Sequence, residues 1–382
     1  MILNNSTTNL KISGRRMLKN KFNRVYYFSL IFFLALLTGC ASTPDSGKAE
    51  KPVYPSPPDQ PRFYFQETII SSADVESEDK ESAFKRMITG QTRAGIGMGK
   101  PFGITAWNGR IYVSDTVKRQ VTVFDKKNGK YFEIGTETPG ELFKPMGLDV
   151  DNQGNLYVCD ALMKHVVVFD KDGKYLRTMG ERNMFSRPAG LTVNPEGTRV
   201  FVVDTGGVNS EWHRIVVFDA QSGEFLYNIS KRGNEDGELN LPREATISSD
   251  GNLYVVDGGN FRIQVFSQEG EFLHKFGDIG RRSGQFSRPK GIGSDKEGNL
   301  YVADAAFGNF QIFNSNGDLL LAIGSRNSVF GPGNFMLPSG LTVDEDGRVF
   351  LIDQYFQKVD VFRPAAIAEN EGLFAFGRST IK

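Results

Sequence analysis

An all-β ring of six four-stranded blades, a β-propeller, is the fold this chain predicts, and three observations carry it. First, a strand–turn–strand phrase recurs six times, each copy opening on Pro-x-Gly or a close variant at Pro101, Pro145, Pro188, Pro242, Pro289 and Pro338. Second, an Asp closes the second strand of each copy, at Asp115, Asp160, Asp204, Asp257, Asp304 and Asp353, spaced by 45, 44, 53, 47 and 49 residues. A period near 45 with about four short strands per unit marks a propeller blade. Third, the turns are legible. Asn108-Gly109, Gly154-Asn155, Asp250-Gly251 and Asp346-Gly347 sit between first and second strands, and Asn128-Gly129, Asp172-Gly173 and Glu269-Gly270 between third and fourth. Gly at such points supplies the positive φ of tight hairpins.

The intervening strands, such as Val121–Phe124, Val166–Phe169, Ile215–Phe218 and Ile263–Phe266, are nearly continuous apolar runs. Blades stacked face to face bury both sheet surfaces, so this pattern is expected of them. The six Phe at 124, 169, 218, 266, 313 and 362 are accordingly core residues. The sixth repeat has no Gly hairpin soon after Phe362, so its fourth strand must come from elsewhere. Arg62–Ile70 is favoured to close the ring, with Leu373–Phe376 in competition.

Before the repeats, residues 1–39 read as a signal segment. Lys11, Arg15, Arg16, Lys19, Lys21 and Arg24 precede an apolar run from Val25 to Leu37, and Met17 is an alternative start. The run is short of the ~20 apolar residues of a spanning helix. It ends in Leu37-Thr38-Gly39-Cys40, which resembles the lipobox of bacterial lipoproteins; that resemblance implies lipid attachment at Cys40. Residues 40–61 then form a Pro-rich tether, expected to be extended and to reach about 60 Å. Residues 62–382 make up the propeller. Losing six basic residues with the signal leaves 39 basic against 45 acidic, near −6. A nucleic-acid partner, which needs a basic surface, is not expected. The expected location is the bacterial envelope, at the outer membrane if the host is Gram-negative, since Ala41 rather than Asp follows Cys40.

The repeats resemble NHL repeats. Asp250-Gly251-Asn252-Leu253-Tyr254-Val255-Val256-Asp257, followed by Arg262-Ile263-Gln264-Val265-Phe266, carries the likeness, as does Gly298-Asn299-Leu300-Tyr301-Val302-Ala303-Asp304. The likeness covers about Pro101 to Phe362 and implies a six-bladed propeller. It is weak for activity, because this fold hosts unrelated functions. Relatives include protein- and RNA-binding modules, sensor ectodomains, a zinc-dependent lyase and sugar lactonases.

A zinc lyase site would need all three His, and His274 is expected in an outer strand, away from His165 and His213. A lactonase-like channel would hold a divalent cation on carboxylates. Glu244 stands where five repeats have Gly, and Asp149 where three have Thr, but Arg243 beside Glu244 suggests an ion pair. The six strand-two Asp are expected to be turn acceptors. Cys159 is expected in a buried apolar slot, without a disulfide partner. One loop face is richer in bases: Lys100, Lys144, Arg187, Arg243, Arg288 and Lys290 flank the repeat prolines, while His165, Arg214, Arg262 and Lys358 precede third strands. Trp212-His213-Arg214 lies in the longest strand-two-to-three loop, and Trp beside Arg is a common binding pair. The expectation is a non-enzymatic module, lipid-anchored to the membrane, binding a protein, peptide or glycan on this face. The alternative is a metal-dependent lactonase or lyase at the channel mouth.

Overall fold

The structure is a computed structural model that describes residues 51–78, 80–91 and 93–374. Cys40, the signal segment and the part of the tether before Lys51 lie outside these residues. Among the described residues, no helix is long and apolar enough to cross a membrane.

Six antiparallel sheets surround one axis. Their innermost strands are Pro101–Trp107, Pro145–Val150, Pro188–Val193, Ala245–Ile247, Pro289–Ser294 and Pro338–Val343. Each touches the next round the ring, and the sixth touches the first. The second and third strands of each blade are buried almost throughout, as the apolar runs predicted. Six hydrophobic clusters fill the six gaps between neighbouring blades. All six repeat Phe belong to them. Full burial of a side chain of this size contributes about 2–3 kcal/mol. Cys159 lies in the cluster between blades two and three, free and fully buried. Burial pushes its thiol pKa up, the opposite of what a reactive thiolate needs.

Ring closure uses the N-terminal strand. Phe63–Ile69 pairs antiparallel with Lys358–Pro364 as the fourth strand of blade six. The competing C-terminal segment contributes packing instead: Phe374 stacks on Phe350, ring centroids 5.0 Å apart. Two features depart from the sequence expectation. The Pro-rich stretch is not free as far as Pro61, because Val53–Tyr54 adds a fifth strand to blade six, paired with Phe63 and Tyr64. Tyr54 then packs edge-on to Phe362 at 5.7 Å. Apolar Val53 and Tyr54 among the prolines were the signal. The second is a helix, Lys80–Thr89, between the closing strand and blade one, with Phe84, Met87 and Ile88 exposed.

The strand-two aspartates are turn acceptors in every blade, and all six are fully buried. Asp160 accepts the N–H groups of Phe143 (2.6 Å), Lys144 (3.1 Å), Leu162 (2.9 Å) and Met163 (3.0 Å). Asp115, Asp304 and Asp353 repeat the pattern. Each carboxylate thus ties the segment entering a blade to that blade's strand-two-to-three turn. This latch fixes the loop face on which the site lies.

Candidate functional site

Strands alternate direction, so the residues around each repeat Pro and the strand-two-to-three turns share one end of the ring. At that end the axis opens into a cavity of about 510 Å³, within the range of small-ligand sites. The residue after each repeat Pro lines it: Phe102, Met146, Ala189, Arg243, Lys290 and Ser339. Blades one to three therefore supply an apolar arc, and blades four to six a polar and cationic one. Arg187 and Arg288, each just before a repeat Pro, add two further guanidinium groups.

Among the described residues no ion pair engages Arg187, Arg243, Arg288 or Lys290. Burial, then repulsion from Arg288 and Arg243, pushes Lys290 down to about 8. Arg243 is also lowered, by burial first and then by Arg187 and Arg288. Like charges held together without a counter-ion create a strongly positive concavity.

Below this chamber lies a collar made by Gly103, Gly147, Gly190, Gly291 and Gly340. A Cβ on Gly103 would meet the Met146 carbonyl at 2.5 Å, and one on Gly147 would meet Gly190 at 2.6 Å. Neighbouring backbones are too close for any other residue at these points. Glu244 takes the sixth position, and its carboxyl lies across Gly190, 2.3 Å from where a Cβ would stand. The expected ion pair with Arg243 does not form. Arg243 lies along Gly258, while Glu244 Oε1 accepts the Ala245 N–H at 3.3 Å. Desolvation by the collar walls, opposed by backbone hydrogen bonds and reinforced by Asp149, raises Glu244 to about 8. Although the carboxyl borders the channel, protein surrounds it closely enough for burial to dominate.

A smaller chamber of about 190 Å³ lies beyond the collar and shares Glu244 as a wall. Asp149 lines it, accepting Thr105 Oγ1 (3.1 Å), Thr192 Oγ1 (2.8 Å) and the N–H groups of Val193 (3.0 Å) and Val150 (2.9 Å). Burial raises its pKa. The metal-dependent reading does not fit these residues. No trio of His, Cys, Asp or Glu side chains converges among the described residues, and the Asp149 oxygens are engaged by the chain itself.

The lyase reading fares no better. His165 begins the third strand of blade two, His213 lies in the blade-three loop, and His274 lies in the outer strand of blade four. His165 is half-buried, with Nε2 unpartnered and its pKa lowered by burial, and it does not line the cavity.

Several expected binding residues are instead internal braces. His213 is fully buried: its Nδ1 accepts the Leu241 N–H at 3.2 Å, so Nε2 carries the proton toward Gly207 O at 3.0 Å. Arg262, 7% exposed, bonds Asp257 (2.8 Å) and the Glu235 and Glu238 carbonyls. Lys358 is fully buried, 2.6 Å from Asp360, and caged by Phe330, Phe335 and Phe356. Trp212 does stand at the surface, with Arg214 partly buried beneath it and 3.7 Å from Asp204. Trp212 is 41% exposed, with the Arg214 guanidinium 4.4 Å from its ring centroid. Arg214 is also held by the Met184 carbonyl at 2.8 Å. On the same face Val117, Leu162, Val208 and Tyr355 are exposed, each in a strand-two-to-three loop.

The structure is a six-bladed β-propeller with a cavity at one end of its axis. A family model described as a 6-bladed beta-propeller (DUF5128) matches residues 65–186, and the NHL repeat model matches residues 239–266. The chain is 32% identical over 84 residues to human NHL repeat-containing protein 3, and 30% identical over 84 residues to the mouse protein. Each alignment covers 22% of this chain and 23% of the relative, so the chain spans under a quarter of the curated relatives it matches. Among solved structures, a Bacteroides thetaiotaomicron protein of unknown function superposes with a TM-score of 0.59 at 15% identity, covering 78% of this chain and 75% of that one. A Xanthomonas campestris gluconolactonase gives 0.53 at 19% identity, covering 70% and 86%. A streptogramin B lyase gives 0.51 at 16%, covering 69% and 93%. At these identities the likeness is one of fold.

Proposed function

We propose that the protein is a binding module whose partner, a protein or peptide, docks on the loop face around the axial mouth. One observation carries this reading: four cations that form no ion pair among the described residues and five exposed apolar side chains, Trp212 among them, share that face. Aromatic and Arg side chains at the centre of such a surface are the usual energetic anchors. The NHL repeats support it at the level of the class, since related propellers include protein-binding modules. We further propose that Cys40 carries a lipid and holds the module in a bacterial envelope. Metabolic labelling with a fatty-acid analogue should mark the native chain and not Cys40→Ser; equal labelling would remove the anchor.

The binding reading is tested by affinity capture from the native envelope. Trp212→Ala with Arg214→Ala should weaken the captured partner by more than about 2 kcal/mol, with the melting temperature unchanged. Loss of the partner from a Glu297→Lys variant at the opposite end, with the Trp212/Arg214 variant retaining it, would place the site on the wrong end. Capture of a glycan in place of a protein would correct the partner class.

A further inference from the structure

We infer that the axial mouth takes one anionic group carried on an apolar body of roughly aromatic size, oriented by the division of the ring into two arcs. The inference rests on the loop face being the binding face and adds the chemistry of what enters it. A mouth built only for anions would not place Phe102, Met146 and Ala189 side by side; a purely apolar pocket would not gather Arg187 at the edge of blade three with Arg243, Arg288 and Lys290 of blades four and five. Those cations form no ion pair with a carboxylate of their own chain among the described residues, which leaves their charge to an outside anion. Glu244 at the floor is the one acid lining the chamber. With its pKa raised to about 8 it is protonated near neutrality, so it does not cancel the cations and can donate a hydrogen bond. The group comes either as a free small acid or as an acidic end of the docked partner.

The test titrates the mature chain bearing Cys40→Ser with three probes. Anilinonaphthalene sulfonate carries both features, phenylnaphthylamine lacks the anion, and inorganic sulfate lacks the apolar body. The expected result is saturable one-to-one binding of the sulfonate, at least tenfold tighter than either other probe. Arg243→Gln with Lys290→Gln should weaken it at least tenfold. Phe102→Ala with Met146→Ala should weaken it several-fold and leave sulfate unchanged. Should a double variant fail to fold, the single substitutions carry the same comparison. Equal binding of phenylnaphthylamine, equal binding of sulfate, or indifference to Arg243→Gln/Lys290→Gln would overturn the inference. Partner capture on the charge-deleted variant separates the sources: loss of both probe and partner means the partner brings the acid, loss of the probe alone means a free one. A Trp212/Arg214 variant that keeps the partner while the probe results hold would fail the docking surface but not the mouth.

Discussion

Two sets of six residues occupy equivalent places in the six blades and behave in opposite ways. The strand-two aspartates are identical, fully buried and, in the blades detailed above, saturated with backbone N–H donors. The residues after the repeat prolines are all different, and they line a cavity whose cations form no ion pair among the described residues. Repetition marks where the chain answers its own hydrogen bonds; departure from it marks where something else must. Glu244 shows the same contrast within one ring, the single side chain in a collar otherwise made of glycine.

The largest effect should come from breaking a repeated position. Asp160→Ala leaves up to four backbone N–H groups without an acceptor. At about 1–3 kcal/mol for each buried donor left unsatisfied, partly relieved by water, urea unfolding should show a loss of about 3 kcal/mol or more. A loss below about 1 kcal/mol would mean that the latch is ornamental.

Ring closure comes next. Deleting residues 41–50 should leave the melting temperature nearly unchanged. Extending the deletion through Pro61 should lower it modestly, because Val53–Tyr54 and the Tyr54–Phe362 contact go. Extending it through Ile70 should lower it by several degrees more, since an edge strand and its hydrogen bonds are lost. A flat response to the longest deletion would contradict closure by Phe63–Ile69.

The divergent set predicts pH dependence of binding. Groups facing the chamber are Arg187, Arg243, Arg288, Lys290 and Glu244, with Asp149 below and Asp353 and Lys100 within electrostatic reach of Lys290. Below pH 8 Lys290 is charged and Glu244 neutral; above it Lys290 is neutral and Glu244 charged. The chamber therefore loses about 1.6 units of positive charge between pH 7 and pH 9, and affinity for the sulfonate probe should fall about tenfold or more. Affinity that rises over this range would invert the assignment.

The Glu244 carboxyl also predicts a pH-dependent stability. The folded chain holds the Glu244 proton to about pH 8, whereas the unfolded chain releases it near 4.5. Between those values the native state binds more protons, so this group lowers stability as pH rises, and the penalty is constant above 8. Glu244→Gln removes the penalty. Its melting temperature should exceed the native value by an increment that grows from pH 5 to pH 8 and then levels off. An increment independent of pH would show that the carboxyl is solvated.

Much of the fold was legible because it is written six times, in prolines, glycines, aspartates and strand-ending Phe. The site was legible only in part. Arg187, Arg243, Arg288 and Lys290 could be placed near the mouth from their distance to the prolines. Phe102, Met146 and Ala189 could not, since an apolar residue beside an inner strand reads as core. Arg262, His213 and Lys358 were misread as surface groups because their partners, Asp257, Leu241 with Gly207, and Asp360 with Gly331, depend on register and loop path. The Val53–Tyr54 strand was hidden by the prolines around it.

The central claim, that the loop end of the axis is the binding end, is tested most directly by site-specific photocrosslinking in the native host cell. A benzophenone side chain would replace Val208, exposed on the loop face, and in a second variant Glu297, exposed at the opposite end. The account predicts a discrete crosslinked partner from position 208 and none from position 297. A partner captured from position 297 alone would contradict it.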